Sequence, residues 1–309
     1  MKIIRNSSHP TPPLALTIGN FDGVHLGHLK IIDEVKKIAK EKNLASAILT
    51  FEPHPISFFN PAKAQDFRIN SLAEKLKIFS EKKIDYVIIL PFNKIFSEIS
   101  ASDFVQKILV EALDVKHLTI GYDFTFGKNR EGNFKLLEEE SRKFNFTLTE
   151  ILPVKNHEQT CSSSAVRKLL REGKIAEANK ILGRAFAISG LVNEGKKLAS
   201  QLGFPTANLI TKPHLIKPKS GVYKTKTFIP FLKKEFLSIT NFGLKPTPYA
   251  LHLTPNIHLF ETHLPNFSEN IYGKKIIVEF IDFIREEKKF TSLEELKEQI
   301  AKDVKKITL

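Results

Sequence analysis

The sequence predicts two domains of different class: a parallel α/β sheet covered by helices, then a small β-rich domain ending in a helix. Three observations predict this. Strand-like and helix-like segments alternate through the first half. Short β-rich segments separated by Gly, Pro and Asn fill the second half. The pattern changes near Gly183–Ala187, and 309 residues suit one large or two ordinary domains.

Leu14–Ile18 is an apolar run that reads as a buried strand. Over Leu29–Lys40, the residues Leu29, Ile32, Val35, Ile38 and Ala39 recur at helical spacing. Strands follow at Ser46–Phe51, Tyr86–Leu90, His117–Ile120 and Thr147–Leu152, with helices at Leu72–Lys82, Ala101–Leu113 and Phe134–Phe144. Residues 164–182 read as two short helices split by Gly173, with Ser164 as an N-cap and Gly183 ending the second. The segments Phe186–Val192, Gly221–Phe228, Phe236–Thr240, Ile257–Leu264 and Lys275–Phe283 then suggest a small barrel or sandwich. In Ser292–Ile307, the residues Leu293, Leu296, Ile300, Val304 and Ile307 form one apolar stripe, and Ser292 with Glu295 fits a capping box. The expected domains are 1–184 and 185–309.

No apolar stretch is long enough to span a bilayer, and the N-terminus lacks a signal-peptide pattern. One cysteine, Cys161, excludes an intrachain disulfide framework and fits a reducing compartment, so a cytoplasmic protein is expected. The net charge of +13 raises nucleic acid as a partner. The lysines are scattered among Glu and Asp without a long basic tract, which favours a solvated surface with sites for small anions. Oligomeric state is not legible.

The chemistry concentrates in two stretches of the first half. Gly19-Asn20-Phe21-Asp22-Gly23-Val24-His25-Leu26-Gly27-His28 lies where the first strand turns into a helix. Free N–H groups and the helix dipole favour phosphate there, and ligands of such sheets sit beyond the carboxyl ends of strands. Two imidazoles three residues apart can donate hydrogen bonds to polyphosphate, although either alone is equally a capped core residue. Cys161-Ser162-Ser163-Ser164-Ala165-Val166-Arg167 begins another helix with hydroxyls and one arginine, suited to polyphosphate or simply a serine-rich cap. Asp123 follows a strand on the ligand edge and is as compatible with a turn residue bonding its own backbone. In the second half, Gly203-Phe204-Pro205-Thr206-Ala207-Asn208 presents a hydroxyl and an amide oxygen two residues apart, both hard ligands for Mg²⁺. Glu261 and His263 share one face of a candidate strand.

The turn at 19–28 resembles the HxGH signature of nucleotidylyltransferases, and Ser162–Arg167 resembles their SSTxIR signature, with Ser164 in place of the usual Thr. Phe51-Glu52-Pro53-His54-Pro55, Gly121-Tyr122-Asp123-Phe124-Thr125-Phe126-Gly127 and the GFPTAN run at 203–208 narrow the resemblance to bacterial bifunctional riboflavin kinase/FMN adenylyltransferases. Further landmarks are Asn241–Thr247, Ile271-Tyr272-Gly273 and Arg285–Phe290. The resemblance implies a Rossmann-like α/β nucleotidylyltransferase domain and a β-barrel riboflavin kinase domain. It implies riboflavin, FMN and ATP as substrates, Mg²⁺ as metal and FAD as product. It assigns His25, His28 and Arg167 to adenylyl transfer. Gly19, Phe21, Asp22, Gly23, Gly27, Asp123, Ser163 and Ser164 would bind nucleotide at the first site, and Gly203 and Pro205 at the second. Thr206 and Asn208 would hold the metal, and Glu261 would be the general base of the kinase.

One departure bears on the kinase. Ala199-Ser200 stand where the family usually carries a Gly-Arg or Gly-Lys pair, and Lys196 or Lys197 can compensate for the charge. The alternatives are an adenylyltransferase with a weakened kinase domain, and a flavin- or nucleic-acid-binding protein on the same scaffold. Class I aminoacyl-tRNA synthetases share a similar histidine signature, but their Lys-Met-Ser-Lys-Ser-type loop is absent.

Overall fold

A computed structural model describes residues 1–5, 11–156, 159–194, 203–245 and 257–308. The chain forms two compact units, Met1–Ser163 and Ser164–Leu309.

The first unit runs β1 (Lys2–Ile4), β2 (Leu14–Ile18), α1 (Leu26–Glu41), β3 (Ala45–Phe51), α2 (Pro55–Phe59), α3 (Leu72–Glu81) and β4 (Tyr86–Leu90). Two short helices follow, α4 (Lys94–Ser97) and α5 (Ala101–Asp103), the latter continuing as a π-helix over Phe104–Ala112. Then come β5 (Val115–Gly121), α6 (Phe134–Phe144), β6 (Thr147–Ile151) and a small ribbon of β7 (Lys155–Asn156) and β8 (Gln159–Thr160). Six parallel strands form one sheet in the order β1-β4-β3-β2-β5-β6.

Both faces of this sheet are apolar, which is why its strands read as continuous hydrophobic runs. Leu14, Leu16 and Ile18 share one cluster with Leu49, Ile88, Phe104 and Leu118. On the other face, Ala15 packs with Val35 and Ile38, and Ile48, Val87 and Ile89 pack with Ile32 and Phe79. Chain order reverses direction at β2, so the turn after β2 opens at the sheet's topological switch point.

The sequence predicts an α-helix over Ala101–Leu113, and the structure has a single α-turn followed by the π-helical stretch. Phe104, Val105, Leu109 and Leu113 are its buried positions.

The second unit begins with α7 (Ser163–Glu172, from its second residue) and α8 (Ile175–Leu182). A closed antiparallel barrel follows: β9 (Phe186–Asn193), β10 (Thr206–Ile210), β11 (Gly221–Ile229), β12 (Lys234–Lys245), β13 (Ile257–His263) and β14 (Lys275–Arg285). Pairing of β9 with β10 closes it, deciding for a barrel over a sandwich. The last element is α9 (Leu293–Thr308). Gly183 ends α8 in the left-handed region (φ 71°), as expected. Asn179 ties α8 to the barrel: its Nδ2 donates to the Phe280 carbonyl (2.8 Å) and its Oδ1 accepts from the Phe186 N–H (2.7 Å). Inside the barrel, fully buried Thr225, Thr227, Ser238, Thr240 and Thr262 form a connected chain of hydroxyl bonds of 2.8–3.0 Å, so this polar strip is satisfied internally.

Three local expectations are corrected. Helix α7 starts at Ser163, so Ser164 lies inside its first turn and is not the N-cap. The capping box before α9 is half formed. Ser292 Oγ accepts the Glu295 N–H, but the Glu295 carboxylate takes the N–H and hydroxyl of Thr291. Leu293 is exposed, Leu296, Ile300 and Val304 are half-buried, and Ile307 near the end of α9 is buried.

Candidate active sites

The first site is built on the turn between β2 and α1. The Gly19 N–H donates to the Leu49 carbonyl (3.0 Å), continuing the sheet for one residue. Phe21 (φ 48°), Gly23 (φ 82°) and Val24 (φ 42°) all lie in the left-handed region, which costs free energy for a β-branched residue such as Val24. The strain is held by side chains and backbone around the segment before α3. Asp22 Oδ1 accepts the Ile69 N–H (2.9 Å), and Asn70 Oδ1 accepts the Gly23 N–H (3.1 Å). A Cβ on Gly23 would meet Ile69 Cδ1 at 2.9 Å, so the position needs glycine for both space and φ.

His25 is the residue before the first turn of α1 and is almost fully buried. Its ring stacks on that of His28, centroids 3.7 Å apart at 24°. Phe21 packs edge-on against His28 (5.1 Å) and against Phe79 (5.7 Å), fixing the pair from below. At Gly27 a Cβ would lie 3.1 Å from the His25 ring and 3.2 Å from the Cys161 carbonyl, so a bare Cα lets these groups close up. Ser163 Oγ donates to the Asp22 carbonyl (2.7 Å). Its hydroxyl proton therefore holds the turn.

The structure thus brings Gly19, Phe21, Asp22, Gly23, His25, Gly27, His28 and Ser163 to one place. The Gly23 amide, which the sequence leaves available for phosphate, is taken by Asn70. Asp123 is exposed in the turn after β5. Ser164 (exposed) and Arg167 (half-buried) stand in the first turns of α7, within the second unit. His54 serves its own chain: its Nδ1 accepts the Ile56 N–H (3.2 Å) at the start of α2.

Sequence reasoning missed a charged group under this turn. Arg68 makes a two-pronged bond to Glu52 (2.7 and 3.0 Å) and is 6% exposed. Lys75, at 2% exposure, donates from Nζ to the Asn20 carbonyl (2.9 Å) and to Thr50 Oγ1 (3.2 Å). The signal was available: Lys75 falls on the apolar stripe of its helix, beside Leu72, Leu76 and Phe79. Beyond the ends of β3 and β4, Phe51, Phe58, Phe59, Phe92 and Phe96 form linked ring contacts with centroids 5.1–5.9 Å apart, and Phe59 stands exposed.

The second site lies on adjacent barrel strands. Thr206 and Asn208 project from one face of β10, with Ala207 and Leu209 buried inside. In register, Thr206 opposes His263 and Asn208 opposes Glu261, while Asn241 of β12 opposes Glu261 from the other side. Asn241 Nδ2 donates to Glu261 Oε2 (3.4 Å). His263 Nδ1 bonds the Pro205 carbonyl (2.9 Å), so this histidine fixes the Gly203–Pro205 turn, and burial lowers its pKa. Gly203 takes φ 91°, and a Cβ there would have no heavy atom within 4 Å, so the backbone conformation itself selects glycine. Glu287 lies directly against Gly243. Among the described residues no group of three His, Cys, Asp or Glu side chains could hold a metal. Thr206 and Asn208 provide neutral hard oxygens, and Glu261 brings a carboxylate beside them. That donor set fits Mg²⁺ shared with substrate phosphates and water. Lys196, Lys197, Ala199 and Ser200 lie outside the described residues.

Comparison with known proteins identifies the family of each half of the chain. The FAD synthetase family matches residues 7–165 and the riboflavin kinase family residues 182–308. Curated bifunctional riboflavin kinase/FMN adenylyltransferases are similar almost end to end. The protein from Buchnera aphidicola of Schizaphis graminum is 41% identical over 98% of this chain and 97% of its own. That of Haemophilus influenzae is 39% identical over 98% and 97%, and that of Escherichia coli K12 36% over 98% and 96%. A solved structure described as a macrolide-efflux protein from Streptococcus pneumoniae superposes with a TM-score of 0.86 at 26% identity, covering 98% of this chain and 97% of its own. No described helix of this chain is long and apolar enough to cross a membrane.

Proposed function

The chain belongs to the bifunctional riboflavin kinase/FMN adenylyltransferase family and carries both enzymatic domains, and from that premise we propose how its residues divide the work. At the first site the FMN phosphate attacks the α-phosphorus of ATP, the bond to the β-phosphate oxygen breaks, and pyrophosphate leaves with FAD formed. No proton needs to be abstracted and no covalent intermediate is needed. The task is to align two anions and stabilise added negative charge. His25 and His28 donate to the ATP phosphates, with the first-turn amides of α1 alongside. Ser164 and Arg167 hold the departing pyrophosphate. Ser163 contributes by holding the Asp22 carbonyl, and Asp123 binds nucleotide or flavin. The exposed aromatic cluster around Phe58 and Phe59 offers a stacking surface for the isoalloxazine ring.

At the second site Glu261 takes the proton of the riboflavin 5′-hydroxyl as that oxygen attacks the γ-phosphorus of ATP, and ADP departs. The Asn241 amide orients the carboxylate. Thr206 and Asn208 would hold Mg²⁺, which when bound neutralises phosphate charge. We place the functional boundary at residues 184/185, so that α7 serves the first activity. Use of ATP and the single buried thiol, Cys161, support a cytoplasmic location.

The observation that carries the first assignment is the stacked His25–His28 pair at the sheet's switch point. Its test is His28→Ala. FAD formation from FMN should fall about 100-fold or more, while riboflavin phosphorylation stays unchanged, since loss of a transition-state donor typically costs ~3 kcal/mol. Equal loss of both activities would refute separate sites. Replacement of the usual Gly-Arg/Lys pair by Ala199-Ser200 favours one second reading, a slower kinase beside a normal adenylyltransferase. Riboflavin supplied with ATP and Mg²⁺ and converted to FMN far more slowly than supplied FMN yields FAD would establish it.

A further inference from the structure

The segment from Arg68 to Lys75 bonds the first-site turn repeatedly and is anchored beside it by Arg68, which grips Glu52 after β3. The Ile69 N–H binds Asp22, and Asn70 binds the Gly23 N–H. Ser71 and Glu74 then cap α3 reciprocally, which fixes the helix that presents Lys75. Lys75 Nζ completes the set at the Asn20 carbonyl.

The geometry of the peptide group determines what this does. The residues on either side of the Asp22–Gly23 peptide are tied at both ends, the Asp22 carbonyl by Ser163 and the Gly23 N–H by Asn70. The Asn20–Phe21 peptide is held at its carbonyl by Lys75 (2.9 Å), with a longer bond from Thr50 Oγ1 (3.5 Å). Carbonyl and N–H point in opposite directions across a trans peptide, so the Phe21 N–H is aimed away from the buried ammonium. We propose that Lys75 is a positioning residue for adenylyl transfer, fixing the Asn20–Phe21 peptide so that the turn offers its N–H to the ATP phosphates and keeps Phe21 beneath His28.

Burial pushes the Lys75 ammonium down to about 8, with Arg68 adding to the effect and Glu52 and Asp22 opposing it. A cation in this position is held against its desolvation cost, and the methionine that would fill the same space could not grip the carbonyl. The role rests on the first site being an ATP site, and wild-type conversion of FMN to FAD tests that reading on its own.

The experiment compares Lys75→Met, Lys75→Gln and Lys75→Arg in the full chain. Steady-state constants for FAD formation are measured against ATP and against FMN, with riboflavin phosphorylation as the internal control. Lys75→Met should lower kcat/KM for ATP about thirtyfold, the size of a charge-assisted hydrogen bond, with KM for FMN and the kinase rate unchanged. Lys75→Gln keeps an N–H donor and should lose about tenfold; it carries the same reading should the apolar variant not fold. Lys75→Arg should recover most of the loss. Unchanged ATP constants in the folded variants, or equal losses toward ATP and FMN, would overturn the proposal.

Discussion

Glu261 stands between two amide side chains from neighbouring strands, Asn208 of β10 and Asn241 of β12. Asn241 Nδ2 donates to its carboxylate (3.4 Å), so one oxygen is held toward β12. Replacement by glutamine keeps shape and removes the proposed base. Glu261→Gln should slow riboflavin phosphorylation by about 10²–10⁴-fold and leave FAD formation from supplied FMN intact, as read by chromatography of the flavins. Unaltered kinase turnover would remove Glu261 as the base. Ser163, at the serine-rich start of α7, instead bonds the protein's own backbone at the Asp22 carbonyl.

At the scale of elements, the β5–β6 edge of the sheet carries a buried titratable group. His117 on β5 bonds Thr147 of β6 through Nδ1 (2.7 Å) and is 3% exposed. Burial pushes its pKa down to about 4 from 6.5, with Lys42 adding to the effect and Glu34 opposing it. Between these values the unfolded chain binds a proton that the folded one does not, so stability is full above pH 6.5 and is lost as pH falls toward 4. Calorimetry of wild type and His117→Gln should show a steeper fall of Tm over that window in wild type. Equal slopes would mean that His117 does not titrate on unfolding. In the same unit, the stretch 104–112 winds as a π-helix with Phe104, Val105 and Leu109 buried.

Taken whole, the chain is two units with separate cores and a net charge of +13. That charge gives general attraction to polyanions. RNA binding should be weak and should fall steeply between about 50 and 200 mM salt, through counterion release. A salt-insensitive, sequence-selective complex in a gel shift would contradict this. Both fold classes were legible in the sequence, because apolar strand runs and helical stripes are local patterns, and His25, His28, Thr206 and Asn208 stood out as candidates because their motifs are contiguous. The sequence also marked Glu261, but only by resemblance, since a lone strand glutamate has no local signature. Closure of the barrel was decided by the pairing of β9 with β10, which no local pattern in either strand specifies. Tertiary structure alone likewise decided that Asn70 occupies the Gly23 amide and that Lys75 grips the Asn20 carbonyl. Those bonds join positions 47 and 55 residues apart, and the direction of a buried donor is set by packing around it.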